Sequence, residues 1–229
     1  MEAADLGVRL CQSTARGVYV CYGAVAVPVI ALAVASGEIG GWIPGVLIWW
    51  LKPWLDRTIL FVLSRAAFGQ QTSPIDVWRS QRQVLWTGLL LTLTVQRLSL
   101  WRSLTQPVYQ LEGLRAGDAR ARVRQIRRGK AGSGLLITAA FSMAETALTF
   151  GALSLAFWFA PAGQSPDLID LVNGETSEFF RVATILAYSL VVIFLEPFYV
   201  AAGFGIYLSR RAELEAWDLE QEFRRAFAT

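Results

Sequence analysis

Two long stretches with a single charge apiece constrain this chain more than any other feature. Residues 134–160 (GLLITAAFSMAETALTFGALSLAFWFA) hold one charged side chain, Glu145. Residues 182–208 (VATILAYSLVVIFLEPFYVAAGFGIYL) also hold one, Glu196. A third stretch, residues 17–36, holds none. A hydrocarbon layer roughly 30 Å thick is crossed by about 20 helical residues, so each stretch can span it, the longer two with tilt. Helices buried inside soluble domains rarely run so long without charge. Composition agrees: 17% of residues are charged, against about 25% in soluble domains. The 54% apolar content excludes a disordered chain. Two cysteines are too few for a disulfide scaffold, and with no histidine the chain has no imidazole base or ligand. The expected fold is an all-α, polytopic membrane protein, one integral membrane domain over 1–229.

Residues 42–104 are less regular. The run WIPGVLIWWL is followed by KPWLDR, so that Lys52, Pro53, Asp56 and Arg57 interrupt an apolar region. VLWTGLLLTLTV is only 12 residues long before Arg97. This pattern fits a broken helix, a re-entrant segment or helices lying in the interface, with one crossing among them. Trp42, Trp49, Trp50, Trp54, Trp78 and Trp86 cluster here. Indole rings favour headgroup depth, although ordinary packing also uses them.

Charge sets the orientation. Residues 97–130 carry Arg97, Arg102, Arg115, Arg120, Arg122, Arg124, Arg127, Arg128 and Lys130 against Glu112 and Asp118. Residues 161–178 carry Asp167, Asp170, Glu175 and Glu178 and no basic residue. The positive-inside rule puts the basic loop (105–131) in the cytoplasm and the acidic loop (161–179) outside. The crossing at 134–160 then runs outward and the one at 180–208 runs inward, leaving the tail 209–229 in the cytoplasm. Arg9 and Arg16 place the N-terminus inside as well. Parity then predicts four full crossings plus interfacial or half-membrane helices, with six as the alternative. Ala33-Val34-Ala35 resembles a signal-peptidase site, but Glu2 and Asp5 offset the two arginines and argue against a leader. The basic loop is first a topogenic signal and second a contact for anionic lipid headgroups. Only Trp101 and Tyr109 interleave with its basic residues, so no nucleic-acid partner is expected.

Glu145 and Glu196 are the sharpest local features. Glu145 lies about 22 Å from Ala160 and Glu196 about 24 Å from Phe180 at 1.5 Å per residue, so an antiparallel pair would hold both at similar depth. Carboxylates at that depth are paired, neutralised or wet. Pro197 follows Glu196 and frees the carbonyl of Ile193. Three roles compete. The glutamates brace the bundle by pairing with Lys52, Arg57 or Arg97, or they line a proton or cation path. Metal binding is disfavoured, because two carboxylates with no histidine or nearby cysteine make a weak site. No cofactor is expected.

Other motifs are incomplete. Gly129-Lys130-Ala131 lacks the hydroxyl of a phosphate loop, and Leu208 stands where a dinucleotide fingerprint needs glycine. No nucleophile elbow occurs. Cys11 and Cys21 would lie about 15 Å apart on one helix, too far to bridge. Gly41/Gly45, Ala147/Gly151 and Ala201/Gly205 have the spacing of close helix contacts. Residues 1–16 form an amphipathic segment, with Leu6 and Leu10 one turn apart. The tail reads as a short amphipathic helix striped by Ala212, Ala216, Leu219 and Phe223. It would lie on the membrane, cap the bundle or dock a partner.

Three strings, LIWWLKPWLDRTILFVLSRAAFG at 47–69, SLTQPVYQLEGLRAGDARARVR at 103–124 and LEPFYVAAGFGIYLSRRAELEAWDLEQEFRR at 195–225, resemble an uncharacterised family of bacterial inner-membrane proteins. The opening EAADLGVRL is similar too, whereas 131–180 matches in hydropathy alone. Members are often encoded near MoxR-type AAA+ ATPases and von Willebrand-factor-type or transglutaminase-like proteins. The resemblance implies that Glu196, Pro197 and Tyr199 belong to a family signature. It assigns them no catalytic role. It points to a bacterial inner-membrane location and an envelope-assembly role, by analogy of gene company alone. The expected function is therefore a non-catalytic scaffold or assembly subunit, with lipid and a membrane or AAA+ protein as partners. A transporter built on Glu145 and Glu196 is the rival reading. A lipid-acting enzyme comes third, since no nucleophile arrangement supports it.

Overall fold

A computed structural model describes residues 2–94, 97–114, 116–160 and 177–227. Asp167, Asp170 and Glu175 of the acidic loop lie outside the described residues, as does Arg115 of the basic loop. Every regular element among the described residues is helical. In chain order these are α1 (Glu2–Ser13), α2 (Ala15–Ala35), α3 (Ile43–Ala66), α4 (Pro74–Arg79), α5 (Leu89–Leu93), α6 (Arg102–Gln110), α7 (Ala116–Arg127), α8 (Ala131–Trp158) and α9 (Glu178–Phe227). A short 3₁₀ turn covers Ser36–Glu38 and a π turn covers Arg82–Trp86.

Three segments are long and apolar enough to cross a membrane: Ala15–Glu38, Ala131–Trp158 and Glu178–Ala216. The chain is thus a membrane protein by the length and composition of its helices. Large apolar side chains point outward from all three. They include Val27 and Leu32 on α2, Met143, Phe150 and Trp158 on α8, and Leu190 and Phe194 on α9. In water such a surface would be a liability; in lipid it is solvated. α9 lies at the centre of the molecule and packs against α1, α2, α3, α6 and α8. α8 sits at the edge, and only 6% of its most apolar window is buried.

The long helices α2, α3, α8 and α9 alternate in direction in chain order. Arg181, near the start of α9, donates a 2.6 Å hydrogen bond to the carbonyl of Gly37 at the end of α2. Gly37 in turn packs on Pro44 at the start of α3. At the opposite end, Cys21 of α2 reaches the Thr72 carbonyl just beyond α3. The α4 turn opens with a capping box, in which Ser73 and Asp76 satisfy each other's backbone amides. Those bonds from Ser73 hold the exposed Asp76 carboxyl below its ordinary range.

α3 departs from the sequence-based expectation of a broken or re-entrant segment. It is one continuous helix of 24 residues. Pro53 sits inside it, so the carbonyl of Trp49 lacks its usual donor. Lys52, Asp56 and Arg57 are all buried on the inner side of this helix, where each finds a partner. Charge breaks an apolar helix only when it must face lipid.

The tail also differs from expectation. Instead of a separate short helix after residue 208, α9 continues for 50 residues. At 1.5 Å per residue that is about 75 Å, far more than a bilayer core. The extension is anchored by an ion pair of Glu213 with Lys130, 2.8 Å.

α1 docks on α9 through small residues. A Cβ at Gly205 would come within 2.1 Å of the Ala3 carbonyl oxygen, and one at Gly7 within 2.1 Å of the Ala201 carbonyl oxygen. Of the three small-residue pairs singled out in the sequence, Ala201/Gly205 makes this contact, and Ala3/Gly7 is its counterpart on α1. Gly45 and Gly151 have open space where a Cβ would go, while Gly41 faces the Arg181 side chain. The buried face of α1 is accordingly Ala4, Gly7 and Cys11. Leu6, expected on the apolar face, is exposed. Burial pushes the Cys11 thiol up to about 11, so at neutral pH it is both covered and protonated.

Gly205→Val should release α1 and cost about 1–3 kcal/mol, typical of overpacking, whereas Gly151→Ala should be nearly neutral. Maleimide labelling of Cys11 in mild detergent checks this: the thiol stays protected in the parent and in Gly151→Ala and becomes reactive in Gly205→Val.

Candidate functional site

The charges of the apolar region converge on one place. Lys52 extends from α3 between α8 and α9, where its Nζ donates to Glu145 Oε2 at 2.6 Å and pairs with Glu196 Oε2 at 2.8 Å. Arg102, at the start of α6, meets the other side of Glu196, Nη2 to Oε1 at 2.6 Å. Its Nε lies 3.1 Å from Asp56 Oδ2. Five charged side chains from α3, α6, α8 and α9 thus form a continuous chain: Glu145, Lys52, Glu196, Arg102, Asp56. Asp56 is fully buried, and the Glu196 side chain is 3% exposed. Glu145 is 21% exposed.

The local sequence explains the convergence. Lys52 and Asp56 are one helical turn apart, so α3 turns both toward the same partners. Glu196 and Tyr199 are three apart on α9 and share a face in the same way. The Arg102 guanidinium lies 5.1 Å from the centre of the Tyr199 ring. Thr138 of α8 donates its hydroxyl to the Leu100 carbonyl at 2.7 Å, so the 3.2 Å bond between Thr138 and Tyr199 is donated by Tyr199. Tyr188, eight residues before Glu196 and about 12 Å farther out on α9, shares a cavity wall with Glu145. Pro197 lies inside α9 directly after Glu196. Nearby, the carbonyl of Phe194 accepts a bond from Tyr19 of α2 at 2.9 Å.

A cavity of about 200 Å³ opens beside this chain. Its wall includes Trp49, Lys52, Arg97, Arg102, Ser142 and Glu145. Arg97 lies flat over the Trp49 ring, 3.5 Å from the centroid.

The other candidates from the sequence separate into distinct groups. Arg57 does not meet either glutamate. It donates to the Val84 carbonyl and, at 3.0 Å, to Thr92, and so ties the π turn and α5 to α3. Arg97 reaches the cavity but forms no ion pair with Glu145 or Glu196. In the basic loop, Arg122 pairs with Glu112 at 2.9 Å, and Tyr207 of α9 donates to the same carboxylate at 2.7 Å. Arg127 stacks on Trp101, 3.7 Å from the ring centre. Lys130 holds Glu213. Arg120 and Arg124 are exposed on α7, and Arg128 is exposed in the turn just after it. The basic segment therefore has two faces, one locking α7 onto the bundle and one open. Among the described residues no group of three or more His, Cys, Asp and Glu is placed to hold a metal ion.

Sequence reasoning missed Asp56 and Arg102 as members of the network. Asp56 was read as a helix interruption, although its spacing of four from Lys52 was a visible sign of a shared face. Arg102 was counted with the cytoplasmic basic run, and nothing in its neighbours marks it as the one that turns inward.

No protein-family model, curated protein or solved structure matches this chain.

Removing one member of a buried ion pair strands its partners, at a cost of about 3–5 kcal/mol. Lys52→Met, which takes a cation from two carboxylates and leaves Glu145 with none, should lower the unfolding temperature in detergent most. Glu196→Gln, which weakens contacts with two cations, should follow. Glu145→Gln, on the more exposed residue with one cationic partner, should cost least. A thermal-unfolding series of the three purified variants checks the order, and an equal or reversed ranking refutes it.

Proposed function

We propose that this chain is a non-catalytic integral protein of a bacterial inner membrane, acting as a scaffold or assembly subunit of an envelope-associated complex. The observation that carries this reading is the complete pairing of Glu145 and Glu196 with Lys52 and Arg102. Carboxylates held this way brace helices against one another, which is the structural use of intramembrane charge. The sparse packing of α8 supports the same reading, because a helix so little covered by its own chain has its surface free for lipid or another membrane protein.

The proposed topology has four crossings, α2, α3, α8 and α9, with both termini in the cytoplasm. Support comes from the alternating directions of these helices and from α3's length of 24 residues, about 36 Å. α3 carries too much charge to stand out by hydropathy. In this arrangement the open face of α7 and the long extension of α9 lie on the cytoplasmic side. A membrane or AAA+ protein is the proposed partner, and anionic headgroups meet Arg120, Arg124 and Arg128.

A second reading, a transporter or channel component, draws on the cavity that reaches Glu145 and Glu196. The two readings part in one experiment. The tagged chain is purified from its native host in gentle detergent, and the co-purifying proteins are identified by mass spectrometry. A stoichiometric membrane or AAA+ partner is the expected result. Purification alone, together with an ion- or pH-dependent flux in vesicles that Glu145→Gln and Glu196→Gln abolish without loss of folded protein, would replace the scaffold reading with transport.

A further inference from the structure

We propose that the cavity between α3, the 97–100 segment and α8 is a lipid site that takes the phosphodiester of a membrane phospholipid, with Arg97 as its principal ligand. Lys52, Arg97 and Arg102 line this cavity against Glu145 and Glu196, so its wall carries one net positive charge. Asp56 is not part of the wall; it lies behind it, against Arg102. Lys52 and Arg102 are in direct contact with the carboxylates, but Arg97 touches none. It is held by the Trp49 ring, and its Nε is buried without a hydrogen-bond partner. A guanidinium at such a place is costly until an anion meets it. Its planar fork matches two phosphate oxygens. A phosphodiester brings a single negative charge, the counter-charge that Arg97 lacks.

The remaining lining fits the same ligand. Ser99 and Ser142 add hydroxyls to the wall, and hydroxyls donate to phosphate oxygens. Lys52 of α3 and Glu145 of α8 meet at the cavity. Leu98 and Leu100 flank it and are exposed, at 79% and 51%. They offer an apolar track to acyl chains and nothing to a water-soluble phosphate. Thr138 on the same wall lies seven residues beyond Ala131, about 10 Å along α8, near the level where headgroups join their chains.

Native mass spectrometry of the purified, delipidated chain tests this, with dioleoyl phosphatidylglycerol, diolein and inorganic phosphate as separate probes. The expected result is one tightly held phosphatidylglycerol, little diolein, and no displacement of the lipid by millimolar phosphate. Arg97→Gln should weaken phosphatidylglycerol binding by about tenfold or more, the scale of a lost charge-assisted pair. Ser142→Leu narrows the cavity and leaves every ion pair intact, so it should weaken binding even if Arg97→Gln folds poorly. Arg9→Gln, at an exposed arginine of α1 that is not part of the cavity wall, should not change it. Equal binding by diolein, unchanged binding in Arg97→Gln and Ser142→Leu, or saturation by inorganic phosphate with loss of the lipid would each overturn the proposal. The last result would make this a site for a soluble anion.

Discussion

An ammonium group among apolar helices has to be met by carboxylates in direct contact, and the placement of Lys52 follows from that requirement. Its two acceptors stand on different helices, Glu145 on α8 and Glu196 on α9. Arg102 then extends the chain of contacts to α6 and back to Asp56 on α3. Apolar side chains cannot supply this constraint in lipid, because a leucine gains little by leaving acyl chains for another leucine. Ion pairs discriminate between registers. A slide of one helical turn would move Lys52 out of reach of both partners. Ion pairs buried this deeply are weak evidence for added stability, since desolvation consumes much of the attraction. Their clearer effect is to select one arrangement of helices.

Where the ion pairs end, steric fit takes over. Among the described residues no ion pair joins α1 to α9; α1 rests on Gly7 and Gly205, with backbones so close that a methyl group would not fit. Such approach lets many weak dispersion contacts form along a short helix. α8 has neither kind of contact along most of its length. Its links to the rest are concentrated near Gly134, Thr138 and Glu145. The molecule thus has a tightly specified half, built on α9, and a sparsely fastened edge at α8. The cavity lies on the seam between them.

Much of the architecture was legible because lipid imposes a simple demand. Segments that must cross it show long runs without charge, and α2, α8 and α9 carry those runs. The Glu145 and Glu196 positions stood out for the same reason, and Lys52 was a natural partner for both. The rest was hidden where tertiary pairing cancels local cost. α3 looked interrupted because its charges are visible in sequence while their counter-charges are 46 to 144 residues away: Lys52 meets Glu145 and Glu196, and Asp56 meets Arg102. The continuity of α9 past residue 208 was hidden for another reason. Change of composition from apolar to charged marks where a helix leaves lipid, not where it ends.

The same pairing bears on how the chain comes together. A helix with Lys52, Asp56 and Arg57 carries a substantial penalty in lipid when alone, about 2.5–3.5 kcal/mol for each charge near the middle on insertion scales. α3 is made early, yet Glu145 and Glu196 are made late. Until α8 and α9 arrive, Lys52 has no carboxylate of theirs to meet, and Asp56 lacks Arg102 until α6 follows. In the proposed four-crossing topology α3 is therefore held at its depth by elements that come after it in sequence, and α9 gathers the ion-pair network on one side and α1 on the other. The structure is specified from its C-terminal half backwards, with Glu196 as the residue on which the early and late helices meet.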